Sequence, residues 1–152
     1  MISLIAGYAL LRNRAAMATF KIEHLTRERL IDAWPIIRAS GVRPHVEWWL
    51  HDAARALDES GGVLAARAAD GIVYGVAIYR LVRDPRAGRI LRIDSIDAFE
   101  LSRRAHVRKA LCEALDELSF KLECKGVRAA EQLSGVPRQR LAKPFFPAAT
   151  RA

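Results

Sequence analysis

The sequence predicts a mixed α/β domain in which a mostly antiparallel sheet carries helices on both faces. Residues 63–101 hold three β-rich runs separated by turn sequences, which is the pattern of an antiparallel meander. Apolar residues then recur at helical spacing over residues 107–122, and a last β-rich run follows at 127–133. A strand that is reached through a helix implies a crossover, so the sheet is expected to be mixed.

The chain has 152 residues, which suits a single domain, and residues 17–147 are predicted to form it. Residues 1–16 read as an extension outside the core and residues 148–152 as a tail. The apolar run in the extension is about ten residues long with no basic residue before it, so it is too short for a membrane span and atypical of a signal peptide. A cytoplasmic protein without membrane contact is therefore expected.

The cysteines and histidines do not suggest a metal site. Cys112 and Cys124 lack the spacing of zinc ligands and are too few for a disulfide scaffold. His45 and His51 would lie on different sides of a helix, so a shared metal is not expected. No metal cofactor is predicted, and Cys112 is expected to be a small core residue rather than a catalytic thiol.

The first part of the chain predicts one strand and two helical segments. Residues 19–25 alternate as a strand, and Thr26 can cap a helix after it. Pro35 should kink or divide that helix, because proline lacks the amide hydrogen and clashes with the preceding turn. Residues 45–59 carry an apolar stripe at helical spacing, and Trp48 lies off that stripe.

Turn residues define the meander. Asp70-Gly71 suits the positive φ angles of a tight hairpin turn between strands at 63–69 and 72–82. A second turn at 84–88 leads to a strand over 89–101, so three antiparallel strands are expected in succession.

One long helix should follow the meander. Ser102 can cap its start, and Gly126 stops it before the strand predicted over 127–133. Its buried face is expected to hold Val107, Leu111, Leu115, Leu118 and Leu122.

The formal net charge is +8, and most of the excess lies in the last third of the chain. Residues 1–100 contribute +2 and residues 101–152 contribute +6. A first arginine-rich run contains a single acidic residue, Asp84, and its arginines are interpreted as scattered and solvated: Arg80, Arg83, Arg86, Arg89 and Arg92. A second basic run contains no acid and lies at the start of the long helix: Arg103, Arg104, Arg108 and Lys109.

The second basic run predicts an anion site. At a helix start the macrodipole disfavours a cation by about 0.3–1 kcal/mol, and a bound phosphate would reverse the sign of that effect. The alternative is a solvated basic helix start in which Glu100 neutralises one of the charges.

Two segments and the element order together carry a family resemblance. Residues 63–80, VLAARAADGIVYGVAIYR, read as a hairpin with Asp-Gly at its turn. Residues 93–111, IDSIDAFELSRRAHVRKAL, read as a strand that leads through a loop into an apolar helix. From about Thr19 to Phe146 this arrangement resembles the GNAT superfamily of acetyl-CoA-dependent N-acetyltransferases. The resemblance implies the GNAT fold, with acetyl-CoA as co-substrate.

The resemblance also implies which residues hold acetyl-CoA. The family's loop reads Arg/Gln-x-x-Gly-x-Gly/Ala, and in this chain His106 and Arg108 occupy the two glycine positions, where backbone amides would otherwise approach the pyrophosphate. The residues expected at the loop and helix start are Arg103, Arg104, Ala105, His106, Val107, Arg108 and Lys109. On the preceding strand, Ile96, Ala98 and Leu101 are expected to line the pantetheine arm and the thioester.

Transfer of an acetyl group to an amine needs a base that takes an amine proton, and three carboxylates are candidates: Asp97, Glu100 and Glu131. In a regular strand, Asp97 points away from Asp94 and Glu100. Ion pairing with the nearby arginines is the alternative role for each carboxylate.

Two further features concern the acceptor and the leaving group. Trp48 is the candidate for contact with the acceptor, and core packing with Trp49 is the alternative. Family members often use a tyrosine near the end of the domain as general acid, whereas this chain has only Tyr8, Tyr74 and Tyr79.

The leading hypothesis is therefore an N-acyltransferase that acts on a small-molecule or protein amine by direct attack on the thioester, with a homodimer as a further expectation. A GNAT-shaped binding or regulatory module that has lost catalysis is the first alternative. A basic nucleic-acid-binding protein is the second, but it rests on charge alone, and no nucleic-acid partner is expected.

Overall fold

The elements follow the order that the sequence predicts. The computed structural model describes residues 20–99 and 107–130. Its elements are β1 (Phe20–His24), a 3-10 helix (Arg27–Ala33), α1 (Trp34–Ser40), α2 (Val46–Asp58), β2 (Gly61–Ala68), β3 (Val73–Asp84), β4 (Gly88–Ala98), α3 (Val107–Lys121) and β5 (Val127–Ala129).

Five strands form one sheet in the order β1-β2-β3-β4-β5. The neighbours from β1 to β4 pair antiparallel, whereas β5 pairs parallel with β4. α3 lies between these two parallel strands in the sequence. The mixed, mostly antiparallel sheet is therefore confirmed.

Apolar clusters cover the sheet on both faces. On the first face, Leu30, Ile37 and Trp49 of the helical segments pack against β2 and β3. On the second face, Leu111 and Leu115 of α3 pack against β2, β3 and β4. Because side chains alternate along a strand, each strand residue belongs to the first or the second face. Helices on both faces, as predicted, are confirmed.

Pro35 divides the first helical segment in two. The 3-10 helix ends at Ala33, and Pro35 lies in the first turn of α1, where its missing amide hydrogen costs no hydrogen bond. Thr26 precedes the 3-10 helix, but its side chain makes no capping hydrogen bond there. The predicted division at Pro35 is confirmed, whereas the prediction that the Thr26 side chain caps the helix is wrong.

An aspartate holds each hairpin turn by accepting hydrogen bonds from backbone amides. Asp70 Oδ1 accepts from the Ile72 amide at 2.9 Å, and the glycine between them adopts a φ of 83°. Asp84 Oδ1 accepts from the amides of Arg86 and Ala87 at 2.8 and 2.9 Å. The predicted Asp-Gly turn is confirmed.

β4 contains a β-bulge at Asp94. Ser95 is paired with Ile78 of β3, and Ile93 is paired with Tyr79, so the backbone of Asp94 is not paired with any residue of β3. An extra residue of this kind bends a strand and disrupts its ladder locally.

The described pairing of β4 with β5 ends just before this bulge. It covers residues 91–93 of β4 and is followed by a 2.8 Å hydrogen bond from the Ala130 amide to the Ile93 carbonyl. Beyond the bulge, β4 still pairs with β3. Residues from 131 onward, which continue the chain after β5, lie outside the described part.

Some predicted boundaries lie outside the described residues. β4 ends at Ala98 and β5 at Ala129 in the described part of the chain, and residues 100–101 and 131–133 of the strands predicted over 89–101 and 127–133 lie outside it. The predicted extension, the predicted tail and the predicted cap Ser102 lie outside the described residues. Within residues 20–99 and 107–130, none of the helices has the length and apolar character that a membrane crossing requires.

α3 approaches β3 closely at Gly75. A Cβ atom on Gly75 would lie 2.5 Å from Cγ1 of Val107 and 3.0 Å from Cδ1 of Leu111. Because Val107 is the first residue of α3, the absence of a side chain at Gly75 sets how near the start of this helix lies to the sheet.

We expect Gly75→Ala to destabilise the fold by about 1–3 kcal/mol, because the added methyl group overpacks the contact between α3 and β3. Unfolding in guanidinium chloride measures this change in free energy. Val107→Ala removes the crowded methyl group, so the double variant should be more stable than the sum of the two single effects predicts. Strict additivity would contradict the close approach.

Candidate active site

Three of the residues predicted to bind cofactor come together on the second face, near the bulge in β4. Ile96 and Ala98 of β4 lie in the same apolar cluster as Val107. Ile96 and Val107 are buried. Among the described residues, β4 is paired at these positions with β3.

Two cations predicted to bind cofactor lie in the first turn of α3. Arg108 is half-buried, and Lys109 is exposed with its Nζ 3.8 Å from Glu113 Oε1. The other predicted residues lie outside the described part of the chain: Leu101, Arg103, Arg104, Ala105 and His106 of the cofactor set, and the candidate bases Glu100 and Glu131.

Asp97 is a buried carboxylate on the first face. It is 8% exposed, and its Oδ2 lies 3.8 Å from Nη1 of Arg43 without a hydrogen-bond partner in the described residues. Burial raises the pKa of Asp97 above its ordinary value, while the charge of Arg43, the Ser40 hydroxyl and the charge of Arg108 act in the opposite direction. A carboxylate with a raised pKa and an unused oxygen suits a general base.

Arg43 connects Asp97 to the helices of the first face. It lies between α1 and α2, and its Nε is 3.2 Å from Oδ2 of Asp52. Its guanidinium carbon lies 5.9 Å from the ring centroid of Trp49, which is fully buried and donates from Nε1 to the Leu30 carbonyl at 3.0 Å. Two carboxylates and an aromatic ring therefore fix the position of this charge.

Sequence reasoning missed Arg43. Residues 41–44 read only as a break between two helices, and the contact with β4 depends on how this connection crosses the sheet. The available signal was an arginine directly before Pro44 in a short connection that begins at Gly41, because the proline ring fixes one backbone angle there and restricts the residue before it.

Asp94 and Asp97 lie on the same face, which corrects the prediction made for a regular strand. The bulge shifts the alternation of β4 by one residue. Asp94 consequently lies 2.8 Å from Nε of Arg80 and 2.7 Å from Nε of Arg92. Each carboxylate oxygen of Asp94 is thus paired with a guanidinium group, so Asp94 acts as an ion-pair partner of the arginines. Asp97, in contrast, has one oxygen that accepts no hydrogen bond from the described residues.

The first arginine-rich run is partly paired rather than wholly solvated. Arg80 contacts Asp94 and also Glu59, which follows the end of α2. Arg89 donates to the Leu122 carbonyl at 3.2 Å. The interpretation of this run as scattered, solvated arginines is therefore wrong for these side chains.

Trp48 is exposed on the outer side of α2. Its exposed fraction is 58%, and its ring packs edge to face with His45, with 5.1 Å between the ring centroids. Trp49 occupies the core instead. The alternative prediction, that Trp48 packs in the core with Trp49, is therefore wrong. Contact of Trp48 with an acceptor stays a prediction.

Cys112 is buried on the second face, as predicted. Burial raises the pKa of its thiol, which keeps the group protonated and unreactive. In the part of the chain that the structure describes, no three side chains of His, Cys, Asp or Glu are grouped as metal ligands.

Comparisons with known proteins bear on the fold. No protein-family model matches the sequence, and no curated protein matches it. Among solved structures, the ribosomal-protein-alanine N-acetyltransferase of Brucella melitensis biovar Abortus 2308 is 19% identical, with a TM-score of 0.62 over 78% of this chain and 81% of that chain.

Two aminoglycoside acetyltransferases are similar to a comparable extent. AAC(6')-Ih from Acinetobacter baumannii is 11% identical, with a TM-score of 0.63 over 76% of this chain and 82% of that chain. AAC(6')-Iy, solved with the bisubstrate analogue CoA-S-monomethyl-acetylneamine, is 16% identical, with a TM-score of 0.64 over 80% and 85%. The chain therefore has the fold of the GNAT N-acetyltransferases, as the resemblance implied.

Asp97 and Asp84 should make the free energy of unfolding depend on pH in opposite directions. Burial raises the folded pKa of Asp97, so its contribution to stability is present at low pH and is lost as pH rises through that pKa. The amides of Ala87 and Arg86, together with Arg128, lower the folded pKa of Asp84. Its contribution is therefore present above the pKa of an unfolded aspartate and is lost as pH falls.

Substitution of each aspartate by asparagine separates the two effects. Between about pH 2 and about pH 7, Asp97→Asn should gain stability relative to the wild type, whereas Asp84→Asn should lose stability relative to it. Guanidinium unfolding at the two pH values measures both differences. Changes of the same sign in the two variants would contradict the environments assigned to these carboxylates.

Proposed function

We propose that this chain is an acyl-CoA-dependent N-acyltransferase, which moves an acetyl group from acetyl-CoA to a primary amine by direct attack on the thioester. The observation that carries the proposal is the buried Asp97 carboxylate, which lies three residues beyond the bulge in β4 and keeps one oxygen without a hydrogen bond to the described residues. This carboxylate offers a base to the acceptor. The fold shared with N-acetyltransferases supports the proposal.

Two parts of the chain support acetyl-CoA as the co-substrate. In our proposal the β4 backbone over residues 95–98 forms hydrogen bonds with the amide groups of the pantetheine arm, with Ile96 and Val107 as apolar contacts. At the start of α3, backbone amides and the charges of Arg104 and Arg108 would meet the phosphates. AAC(6')-Iy, which has the same fold, was solved with an analogue that contains CoA.

The acceptor must present its nitrogen lone pair, so a proton has to leave the amine. We assign this proton to Asp97, directly or through one water molecule, because burial moves the pKa of that carboxyl towards the range in which it exchanges protons near neutral pH. The C–N bond forms while the C–S bond of the thioester breaks.

Charge also develops on the carbonyl oxygen and on the departing sulfur. An amide hydrogen of the β4 backbone can donate to the oxygen as it becomes negative. The sulfur leaves as a thiolate and then takes up a proton. Because an alkyl thiol has a pKa of about 8.5, departure does not require a general acid, and the lack of a tyrosine after Tyr79 is compatible with the reaction.

A GNAT-shaped binding module is the second candidate. His106 and Arg108 stand where the family has glycines, and their side chains would crowd the approach of the backbone to a pyrophosphate. Binding of acetyl-CoA separates the two candidates.

Millimolar acetyl-CoA should give a calorimetric binding signal and raise the Tm of the wild-type protein, since a ligand that binds only the folded state stabilises it. Arg104→Glu should abolish both effects while far-UV circular dichroism stays unchanged. Arg38→Glu, which makes the same charge change on an exposed residue of α1, is the matched control and should keep both effects. If the wild type gives neither signal, the enzyme proposal fails and the binding-module alternative stands.

Asp97→Asn should lower kcat by about 10²–10⁴-fold, the usual contribution of a general base, and leave the affinity for acetyl-CoA unchanged. Release of free CoA thiol in the presence of a primary amine measures the rate. Asp52→Asn, in which a partly buried aspartate of α2 is changed, serves as a control for the loss of a neighbouring carboxylate. If kcat is unchanged in Asp97→Asn, Asp97 is not the general base, and Glu100 and Glu131 are the next candidates.

Arg43→Gln should move the acid limb of the pH profile of kcat/KM to higher pH. Removing the cation beside Asp97 raises the pKa of that carboxyl further, and the base is inactive while it is protonated. Arg43→Lys keeps a positive charge and should restore most of the wild-type profile. Arg55→Gln removes an exposed arginine of α2 and should leave the profile unchanged. A fall in kcat without a shift of the profile would contradict this coupling.

A further inference from the structure

Trp48 is a large aromatic side chain that the protein leaves on its surface near the start of α2. It is 58% exposed, whereas the next residue, Trp49, is fully buried. The ring of His45 packs against it edge to face, at an interplanar angle of 76°. An edge-to-face contact covers at most one face of an indole, so the ring of Trp48 keeps surface on which a ligand can stack. We call Trp48 and His45 the aromatic corner.

The aromatic corner lies beside an aspartate that belongs to the candidate active site. Trp48 and Asp52 are four residues apart on α2, so their side chains are neighbours on one side of the helix. Asp52 in turn contacts Arg43, with 3.2 Å between Oδ2 and Nε. The exposed indole is therefore one side chain away from the guanidinium group that fixes the charge beside Asp97.

Arg43 joins this part of α2 to the candidate base. Its Nη1 lies 3.8 Å from Oδ2 of Asp97, so the carboxylates of Asp52 and Asp97 contact the same guanidinium group. The exposed fraction of the side chain falls from 47% at Asp52 to 18% at Arg43 and 9% at Asp97. The aromatic corner thus lies at the surface end of a path that leads to the buried carboxylate on the first face.

The charge of Arg43 decides which chemistry suits the aromatic corner. A cation can bind over an indole, but a cationic group on this path would approach Arg43 in a protein of net charge +8. Both carboxylates of the path already contact that guanidinium group. A planar aromatic ring meets no such repulsion. It stacks on the indole and removes apolar surface of both rings from water.

We propose that the aromatic corner binds an aromatic ring of the acceptor, so that this enzyme acetylates a primary amine joined to that ring by a flexible chain. The inference rests on the proposed acetyl transfer and names the class of its acceptor. Trp48 stacks on the ring, His45 contacts its edge, and the chain carries the amine towards Asp97. Trp48 is accordingly a specificity-determining residue and takes no part in proton transfer.

Three primary amines test the proposal, because they share an alkyl chain and differ in the group at its far end. The group is a planar ring in 4-phenylbutylamine, a puckered ring of similar size in 4-cyclohexylbutylamine, and a second cation in 1,6-diaminohexane. The phenyl compound should bind about fivefold more tightly than the cyclohexyl compound, as one aromatic pair predicts, and the diamine should bind most weakly. Protein-observed NMR titration gives the dissociation constants, and release of CoA thiol from acetyl-CoA gives kcat/KM.

The same titration locates the ring. The indole Nε1–H resonance of Trp48 should shift when 4-phenylbutylamine is added. The resonance of Trp49, which is buried and donates to the Leu30 carbonyl, should stay in place. Loss of one indole resonance in Trp48→Leu identifies the signal of Trp48.

Trp48→Leu should also abolish the preference for the phenyl over the cyclohexyl compound, because leucine keeps an apolar side chain and removes the ring. Trp48→Phe retains a ring and should keep part of the preference. Since Trp48 is exposed, both variants should fold, which circular dichroism checks. Phe120→Leu removes an exposed aromatic side chain from α3, on the other face of the sheet, and should keep the whole preference.

The outcomes separate this inference from the proposed function. Equal binding of the phenyl and cyclohexyl compounds, tightest binding of the diamine, an unmoved Trp48 resonance, or a preference that survives in Trp48→Leu would overturn the assignment of the aromatic corner. If the three amines are acetylated with equal kcat/KM, the proposed function stands and the assignment falls. If 4-phenylbutylamine binds at Trp48 but none of the three amines releases CoA thiol, binding of an aromatic amine stands and the proposed acetyl transfer falls.

Discussion

The candidate site depends on the single extra residue that β4 carries at Asp94. A β-bulge bends its strand and disrupts its ladder, and the described pairing of β4 with β5 ends just before that residue. The same insertion brings Asp94 to the face on which Asp97 also lies, where Arg80 and Arg92 neutralise it. One local irregularity thus brings two carboxylates to one face of the strand and is itself held by ion pairs.

The charge next to Asp97 is set by the packing of the helices rather than by β4. Trp49 is fully buried and fixed by its bond to a backbone carbonyl, and Arg43 lies over its ring while contacting Asp52 and Asp97. Desolvation raises the pKa of the Asp97 carboxyl, and the guanidinium charge opposes that rise. The pKa of Asp97 therefore depends on two opposing effects: burial of the carboxyl group raises it, and the charge of Arg43, which lies between α1 and α2, lowers it.

The net charge of +8 lies mostly in the last third of the chain. Part of this excess lies at the start of α3, where a phosphate would offset the unfavourable effect of cations on the helix. Near the hairpin between β3 and β4, by contrast, Arg80, Arg92 and Arg128 are paired with Asp94 and Asp84. In our proposal the basic start of α3 receives the co-substrate.

The sequence by itself determined the features that depend on neighbouring residues. These are the order of elements, the Asp70-Gly71 turn, the division at Pro35 and the apolar face of α3. The sequence also predicts Ile96 and Asp97 as site residues. The tertiary structure alone decided the bulge, the face of Asp94 and the contact of Arg43 with Asp97. The spacing of Leu91, Ile93 and Ile96 changes from two to three residues, which was a signal for the bulge. Its consequence could not be read from the sequence, because register and burial are set by contacts between strands and helices that lie far apart in the chain.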